Sequence, residues 1–150
     1  MNTLKVGDKV PEFSSKDQDG NIINLSDYAN KKLIVFFYPR ANTPTCTTEA
    51  CNIRDHYKEL SDAGYEILGV SEDSQKKQAN FRNKFDFQYP LLADEDHSVI
   101  DAFGVWGPKK FMGREFDGIH RVTFVVNKGV VEKVIDKVKA KEHAAQILEG

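Results

Sequence analysis

The most continuous hydrophobic stretch of the chain runs from residue 33 to residue 38 and has the length of a buried β-strand. Beyond it, apolar residues recur at alternating spacings of four and three, which is typical of the buried face of a helix. These residues are Cys46, Ala50, Ile53, Tyr57 and Leu60. Thr43 is a suitable N-cap, and Pro44 suits the first helical position because no N–H donor is needed there. The pattern predicts a strand, a loop and a helix that begins near Thr43.

Similar patterns predict the remaining elements. An Asp19-Gly20 turn indicates a hairpin between residues 5 and 25, and Ser26 is placed to cap a short turn through Tyr28. Farther along we expect a strand at 65–70, a helix at 74–85, a short edge strand at 89–93, a helix capped by Asp96 and ended by Gly104, a long loop at 104–118, strands at 121–126 and 130–135, and a helix at 142–148.

The order of these elements predicts the fold class. A helix that ends at Gly64 and is followed directly by a second buried strand is typical of a parallel crossover. The last two strands, joined at Asn127-Lys128-Gly129, add an antiparallel hairpin. We therefore expect an α/β fold with a central mixed sheet, helices on both faces and an N-terminal hairpin extension. Because no repeat or linker interrupts the pattern, residues 1–150 are interpreted as one domain.

Composition and charge argue against several function classes. The formal net charge is -2, and the only basic cluster, at 137–141, lies between Asp136 and Glu142, so it is interpreted as a solvated helix start. No apolar segment approaches the roughly 18 residues of a membrane span, and the N-terminus lacks the apolar core of a signal peptide. We expect a cytoplasmic protein that binds neither nucleic acid nor membranes.

Cys46 and Cys51 are the candidate chemical groups, because they are the only cysteines in the chain. A permanent disulfide is rare in a reducing compartment, so a catalytic or redox-sensing pair is favoured over two structural thiols. Cys46 falls in the first turn of the predicted helix. Free N–H groups and the helix dipole at such a position favour a thiolate, which is the nucleophilic form of cysteine.

The other candidate groups carry weaker signals. His56, His97, His120 and His143 are spread along the chain, and no C-x-x-C or H-x-x-x-H pair is present, so no metal site is expected. The missing C-x-x-C motif also argues against a thioredoxin-like disulfide oxidoreductase. Arg40 is interpreted as a solvated charge.

Residues around the two cysteines resemble a known family. Pro39, Thr43 and Cys46 match the Pro-x-x-x-Thr-x-x-Cys signature of peroxiredoxins. Cys51, within Cys-Thr-Thr-Glu-Ala-Cys, is similar to the bacterioferritin comigratory protein branch, also called peroxiredoxin Q. Other stretches similar to this branch are Asp17-Gln-Asp-Gly20, Asp94-Glu-Asp-His97, Phe103-Gly-Val-Trp-Gly107 and Gly118-Ile-His-Arg-Val-Thr-Phe124. The resemblance covers nearly the whole chain and implies a thioredoxin-like fold.

The resemblance also implies a function, that of a thiol-dependent peroxidase acting on hydrogen peroxide and organic hydroperoxides. By position, Cys46 corresponds to the peroxidatic cysteine, and Cys51 to the resolving cysteine that converts its sulfenic acid into an intramolecular disulfide. Thr43 corresponds to the hydroxyl that binds the peroxide, and Pro39 to the residue that shields the pocket. Arg121 corresponds to the arginine that orients the peroxide and stabilises the thiolate. Family members use no metal or bound cofactor.

Partners are implied in the same way. Members of this branch are recycled by thioredoxin, sometimes by glutaredoxin, and are often monomeric, so we expect a monomer with thioredoxin as its reductant. A redox sensor that passes its oxidation to a partner protein is the alternative, because the same disulfide would serve it. Glu49 has two interpretations: it fixes the Arg121 fork, or it only adds negative charge near the helix start.

Two features near Cys46 bear on the reaction. Thr45 stands where the branch usually has Gly, and its β-branched side chain bears on the access of bulky hydroperoxides and on the rate of resolution. An intact helix holds residues five apart with their Cα atoms about 8.7 Å from each other, whereas a disulfide needs about 7 Å or less. We therefore expect the first helical turns to unwind before Cys51 reaches Cys46.

The predicted loop carries four large side chains, namely Trp106, Phe111, Met112 and Phe116. Such residues commonly pack over the core. The alternative is that they form a surface for reductase docking or for a weak dimer contact.

Overall fold

A computed structural model describes residues 1–149 of the chain. Its strands are β1 (Ser14–Asp17), β2 (Ile22–Asn24), β3 (Lys32–Phe37), β4 (Tyr65–Ser71), β5 (Leu91–Ala93), β6 (Trp106–Phe111), β7 (Arg114–Ile119), β8 (Thr123–Asn127) and β9 (Val130–Ile135). Its helices are α1 (Pro44–Asp55), α2 (Tyr57–Asp62), α3 (Gln75–Phe85), α4 (Ser98–Phe103) and α5 (His143–Leu148), with 3-10 turns at Leu25–Tyr28 and Ala140–Glu142. Seven strands form one sheet in the order β2-β1-β5-β4-β3-β8-β9, and β6 pairs with β7 as a separate hairpin.

Strand β3 lies at the centre of the sheet. It pairs in parallel with β4 and antiparallel with β8. Ile34 and Phe36 point to the face covered by α1, α3 and α5, whereas Leu33 and Phe37 point to the face covered by α4 and the N-terminal segment. The expected mixed sheet with helices on both faces is therefore confirmed, and with it the α/β class.

The local signals around helix starts are largely confirmed. Helix α1 begins at Pro44 with Thr43 in the N-cap position. Helix α3 begins after Ser74, whose hydroxyl accepts a hydrogen bond from the Lys77 N–H at 3.2 Å. The apolar stripe of α1 continues into α2 after a break at His56.

The N-terminal hairpin turns at Asp19-Gly20, as predicted. The cap assigned to Ser26 is wrong, because the 3-10 turn begins at Leu25 and has Asn24 in the N-cap position. The Asn24 N–H donates to Asp27 Oδ2 at 2.9 Å, so a side chain inside the turn binds the backbone of the N-cap residue.

One prediction about the sheet is wrong. Strand β5 lies inside the sheet rather than at its edge, because β1 pairs with it antiparallel. Pro90 is compatible with this position, since it precedes the strand and removes no donor from it. The N-terminal hairpin is thus part of the central sheet.

The segment predicted as a long loop is a second hairpin. Strands β6 and β7 pair over their full length and turn at Met112-Gly113, where both residues have positive φ, as a two-residue hairpin turn requires. Trp106 packs against the core, whereas Phe111, Met112 and Phe116 are exposed on this hairpin.

The cap of α4 also differs from the prediction. His97, not Asp96, occupies the N-cap position, with a φ of 63°, although Asp96 Oδ1 does accept the Ser98 N–H at 3.1 Å. The buried carboxylate of Asp94 accepts hydrogen bonds from the N–H groups of Val99 and Ile100, at 3.0 and 2.8 Å through Oδ2. A residue at the end of β5 therefore caps the helix, which fixes α4 against the sheet.

Gly104 ends α4 with a φ of 68°, and its Cα lies so close to the Asn2 carbonyl that a methyl group would collide with it. We expect Gly104→Ala to destabilise the protein by more than the roughly 1–2 kcal/mol that alanine costs in a left-handed conformation. Gly129→Ala is the control, because its φ is 81° but no atom lies within 4 Å of the added methyl. Urea unfolding measures both losses, and equal losses would contradict close packing of the N-terminal segment on Gly104.

Candidate active site

Cys46 lies in the first turn of α1 and is only 1% exposed. Its side chain packs with Ala50 and Ile53 in the core between the sheet and the helices. Cys51 lies farther along the same unbroken helix, is half-buried, and is a free thiol like Cys46. The two thiols therefore belong to one continuous helix in this structure, with Cys51 off the buried stripe, as its sequence position predicts.

Arg121 brings a positive charge to Cys46. It directly precedes Val122, whose carbonyl accepts the Phe37 N–H at 2.9 Å, so the backbone beside it is tied to the end of β3. The guanidinium Nη2 donates to Cys46 Sγ at 3.3 Å, and Nη1 donates to Glu49 Oε1 at 2.7 Å. One arginine fork thus joins two residues that are three positions apart on α1.

Glu49 is fully buried beneath this fork. Burial raises the pKa of its carboxyl from the ordinary 4.5 to about 7, although the Arg121 charge and hydrogen bond act in the opposite direction. For Arg121, burial alone would lower the pKa, but the adjacent Glu49 and Cys46 raise it overall. The guanidinium is therefore a fixed cation, whereas the carboxyl beside it can lose or keep its proton near neutral pH.

His143, at the start of α5, lies on the other side of Glu49. Its Nε2 is 3.4 Å from Glu49 Oε2 and 2.6 Å from Thr123 Oγ1, and its Nδ1 is 2.9 Å from Gln146 Oε1. The imidazole is completely buried. Burial lowers the pKa of His143, and the nearby Arg121 charge lowers it further, while the hydrogen bond to Gln146 opposes this change.

Comparison with known proteins identifies the family. Residues 6–134 match the AhpC/TSA family. The chain is 47% identical over 150 residues to the putative peroxiredoxin bcp of Haemophilus influenzae, covering 99% of this chain and 97% of that protein. It is 46% identical over 149 residues to peroxiredoxin Bcp of Escherichia coli, with 99% and 96% covered. The chain belongs to the AhpC/TSA family, in its Bcp peroxiredoxin branch.

Solved structures of relatives share the fold of this peroxiredoxin. The bacterioferritin comigratory protein of Xanthomonas campestris is 35% identical, with a TM-score of 0.85 and 94% of this chain and 95% of that chain covered. A mutant of peroxiredoxin Q from Xylella fastidiosa is 29% identical, with a TM-score of 0.91 and 99% and 95% covered. The resemblance seen in the sequence and the thioredoxin-like fold are confirmed, and the protein is an antioxidant peroxidase.

The structure places the remaining predicted site residues around the start of α1. Pro39 follows β3 and is half-buried. The Thr43 hydroxyl donates to the Arg40 carbonyl at 2.9 Å and makes no hydrogen bond to an α1 amide. Thr45 is exposed and lines a surface groove of about 430 Å³ with Thr48. The extra β-branched side chain of this peroxiredoxin therefore points to solvent rather than into the core that holds Cys46.

Two residues near the site were missed in the sequence. Lys109 on β6 donates to the Ile119 carbonyl at 2.7 Å. Burial lowers its pKa, as does the Arg121 charge, while Cys46 opposes the change. Its segment had been assigned to a loop. The sequence does indicate that His143 is buried, because it lies four residues before Ile147 and the two share one buried face of α5.

Residues 1–149 contain neither a cluster of metal ligands nor a helix that could cross a membrane. No three His, Cys, Asp or Glu side chains within that range are close enough together to hold a metal ion. Within the same residues, no helix has both the length and the apolar character that crossing a membrane requires.

The buried carboxyl of Glu49 should make stability depend on pH. Its raised pKa means that the folded state binds more protons than the unfolded state between the two pKa values, so stability falls as pH rises through this window. Between about pH 5 and about pH 8, we expect Glu49 to lower the free energy of unfolding by roughly 2.5 kcal/mol, and we expect this decrease to be absent in Glu49→Gln. Urea unfolding of the reduced proteins at both pH values measures it.

Comparison with the variant isolates Glu49, because the lowered pKa of His143 acts in the opposite direction and is present in both proteins. Identical pH dependence of the two proteins would contradict a protonated Glu49 in the folded state.

Proposed function

We propose that this enzyme reduces hydrogen peroxide and organic hydroperoxides with Cys46 as the peroxidatic nucleophile. The observation that carries the proposal is the 3.3 Å contact from Arg121 Nη2 to Cys46 Sγ in the first turn of α1. The guanidinium and the helix N-terminus both supply positive potential where the negative charge of a thiolate lies. Few structural cysteines have both.

The proposed reaction begins with attack of the Cys46 thiolate on one peroxide oxygen. The S–O bond forms as the O–O bond breaks, so the sulfur is oxidised to sulfenic acid and the peroxide is reduced. The leaving oxygen departs with the electron pair of the broken bond and takes up one proton to become water or alcohol. Arg121 stabilises the negative charge that develops on this oxygen, which is the stage where a fixed cation contributes most.

Thr43 and Pro39 complete the proposed substrate pocket. Because the Thr43 hydroxyl uses its hydrogen on the Arg40 carbonyl, its oxygen keeps a lone pair that can accept the peroxide O–H. Pro39 shields the thiol at the end of β3. A solved structure of the Xanthomonas campestris bacterioferritin comigratory protein concerns alkyl peroxide reduction, which supports organic hydroperoxides as substrates.

Cys51 is the proposed resolving residue. Its thiolate attacks the Cys46 sulfenic sulfur, the S–S bond forms, and the oxygen leaves and is protonated to water. Burial raises the pKa of Cys51 within the intact helix, with a further contribution from Asp55 and an opposing one from Arg54. Unwinding of α1 would bring the thiols within bonding distance and would also expose Cys51 to water, which restores its ionisation.

An intramolecular disulfide of this kind is a substrate for a dithiol reductant, so we propose recycling by thioredoxin or glutaredoxin. The proposal needs no metal or bound cofactor. We propose that the enzyme acts as a monomer, since both thiols that take part belong to one chain. We also propose a cytoplasmic location, because that compartment keeps thiols reduced.

The roles of the two cysteines can be tested by peroxide consumption with thioredoxin, its reductase and NADPH. We expect Cys46→Ser to lose turnover entirely, because no nucleophile remains. Cys51→Ser should form sulfenic acid at the normal rate and then stop, because no thiol resolves it. Peroxidase activity that persists in Cys46→Ser would refute the central assignment, and stoichiometric oxidation without turnover in the unmodified enzyme would favour a redox sensor.

Asn52 should set how readily α1 unwinds. Its Nδ2 donates to the Lys141 carbonyl and its Oδ1 accepts the Ala144 N–H, both at 2.8 Å, so it ties α1 to the start of α5. Losing two hydrogen bonds of about 1 kcal/mol each should speed disulfide formation about thirtyfold in Asn52→Ala. Quenched alkylation after one equivalent of peroxide measures this step separately from sulfenic acid formation.

Asn83→Ala, on the exposed side of α3, is the matched control because it makes the same substitution on a helix that holds no cysteine. An unchanged rate of disulfide formation in Asn52→Ala would mean that this part of α1 stays in place during resolution.

A further inference from the structure

Glu49 and His143 face each other in the core. Glu49 Oε2 is 3.4 Å from His143 Nε2, and both side chains are 0% exposed. Within residues 1–149, Glu49 Oε2 has no hydrogen-bond partner. A buried carboxylate oxygen that lacks a donor is costly, so this contact needs an explanation.

The neighbours of His143 determine where its ring proton lies. Gln146 Nε2 donates to the Lys137 carbonyl at 2.9 Å, and Gln146 Oε1 accepts the Lys139 N–H at 2.9 Å. Gln146 Oε1 is thus an acceptor, so the His143 Nδ1 beside it carries a hydrogen. In a neutral imidazole the other nitrogen, Nε2, then has only a lone pair, and Nε2 is the atom that faces Glu49.

An ionised Glu49 opposite a neutral His143 would therefore place two lone pairs against each other in the core. One added proton removes this conflict. On the carboxyl it lets Oε2 donate toward Nε2 beside the Thr123 hydroxyl, which lies 2.6 Å from that nitrogen, and on the imidazole it lets Nε2 donate toward Oε2. The added proton also balances charge. With Cys46 as thiolate, the Arg121 cation is already neutralised, and an ionised Glu49 would leave one uncompensated negative charge in the core.

We propose that Glu49 and His143 together hold one proton while Cys46 is a thiolate, and that the pair releases this proton when Cys46 is oxidised. The proposal rests on the peroxidatic role of Cys46. His143 is here a positioning residue: it meets Oε2, so the proton lies on that side of the carboxyl and Oε1 stays free to accept from Arg121 Nη1.

The proton balance follows from the reaction. A thiolate, hydrogen peroxide and one proton give a sulfenic acid and water. Once the thiolate charge is gone, Arg121 is left as an unbalanced cation beside Glu49, and its field favours the ionised carboxyl. The pair then supplies one proton as the leaving oxygen consumes one, so the whole step takes up almost none from the solvent.

Several charged or titratable groups face the pair. Glu49 is faced by Arg121, by Cys46 on the same helix and by Tyr89 before β5, whose hydroxyl donates to the Ala50 carbonyl at 2.7 Å. Arg121 also acts on His143, and Lys109 on β6 acts on both Arg121 and Cys46. The buried carboxyl with its pKa of about 7 places the exchange near neutral pH, and a His143 pKa lowered by burial favours the acid form of Glu49.

The test counts protons in the Cys51→Ser background, where oxidation stops at the sulfenic acid. The reduced protein is mixed with one equivalent of hydrogen peroxide in weakly buffered solution near neutral pH, with a pH-indicator dye. Ultraviolet absorbance gives the amount of thiolate consumed. We expect proton uptake well below one per thiolate in this background, and about one per thiolate when Glu49→Gln or His143→Gln is added. The first variant removes the carboxyl, and the second offers Glu49 Oε2 an amide N–H donor, which favours the ionised carboxyl and leaves no stored proton.

His143→Gln separates this role from a structural one. Its amide can still reach Thr123 and donate to Glu49, so a merely structural histidine would change thermal stability and leave the proton count at the background value. Uptake of one full proton without either added variant, or an unchanged count in His143→Gln, overturns the inference. Mass spectrometry checks the chemistry separately: a protein that gains no oxygen on Cys46 overturns the proposed function, and this inference with it.

Discussion

The position of the Arg121 guanidinium depends on a carboxyl group that is shut off from water. Glu49 Oε1 receives Nη1 at 2.7 Å with no solvent to compete, and this contact leaves Nη2 directed at Cys46 Sγ. A surface carboxylate would hold the same arginine far less firmly, because exposed ion pairs contribute little and move freely. The cation beside the thiol is therefore set by the packing of α1 against the sheet.

This dependence explains why the C-terminal helix belongs to the site although it carries no residue that touches Cys46. Helix α5 covers Glu49 with His143, and Asn52 joins α1 to α5 and the 3-10 turn before it through two hydrogen bonds. In the proposed resolution step α1 opens so that the two thiols can meet, and this helix is held at one side by a short terminal element. Unwinding of α1 would therefore also change the surroundings of the buried Glu49 carboxyl.

Local patterns in the sequence were sufficient for the elements that hold the cysteines. Residues 33–38 form a buried strand because an apolar run of that length is stable only when it is shielded from water. Thr43-Pro44 marks the start of α1 by backbone chemistry alone. The features that were missed depend on partners distant in the chain. Asp94 caps α4 together with Asp96 because the sheet places it there, and the β6 and β7 hairpin was hidden by the mixed polarity of its exposed faces. His143 has the spacing of a core residue, but nothing in the sequence indicates which buried group it meets.

The pairing of β1 with β5 gives the N-terminus a role that concerns association between molecules rather than chemistry. Strand β5 has three residues, all buried, and its outer side is covered only by β1. Without the hairpin, this apolar strand would end the sheet with unpaired N–H and C=O groups, which are a template for pairing with another chain. In the intact protein the edge strand on this side of the sheet is instead β2, which is three residues long and only partly buried. The first 24 residues therefore protect the enzyme from aggregation through the edge of its own sheet. Removing them would lower the solubility of the protein before it lowered the catalytic activity.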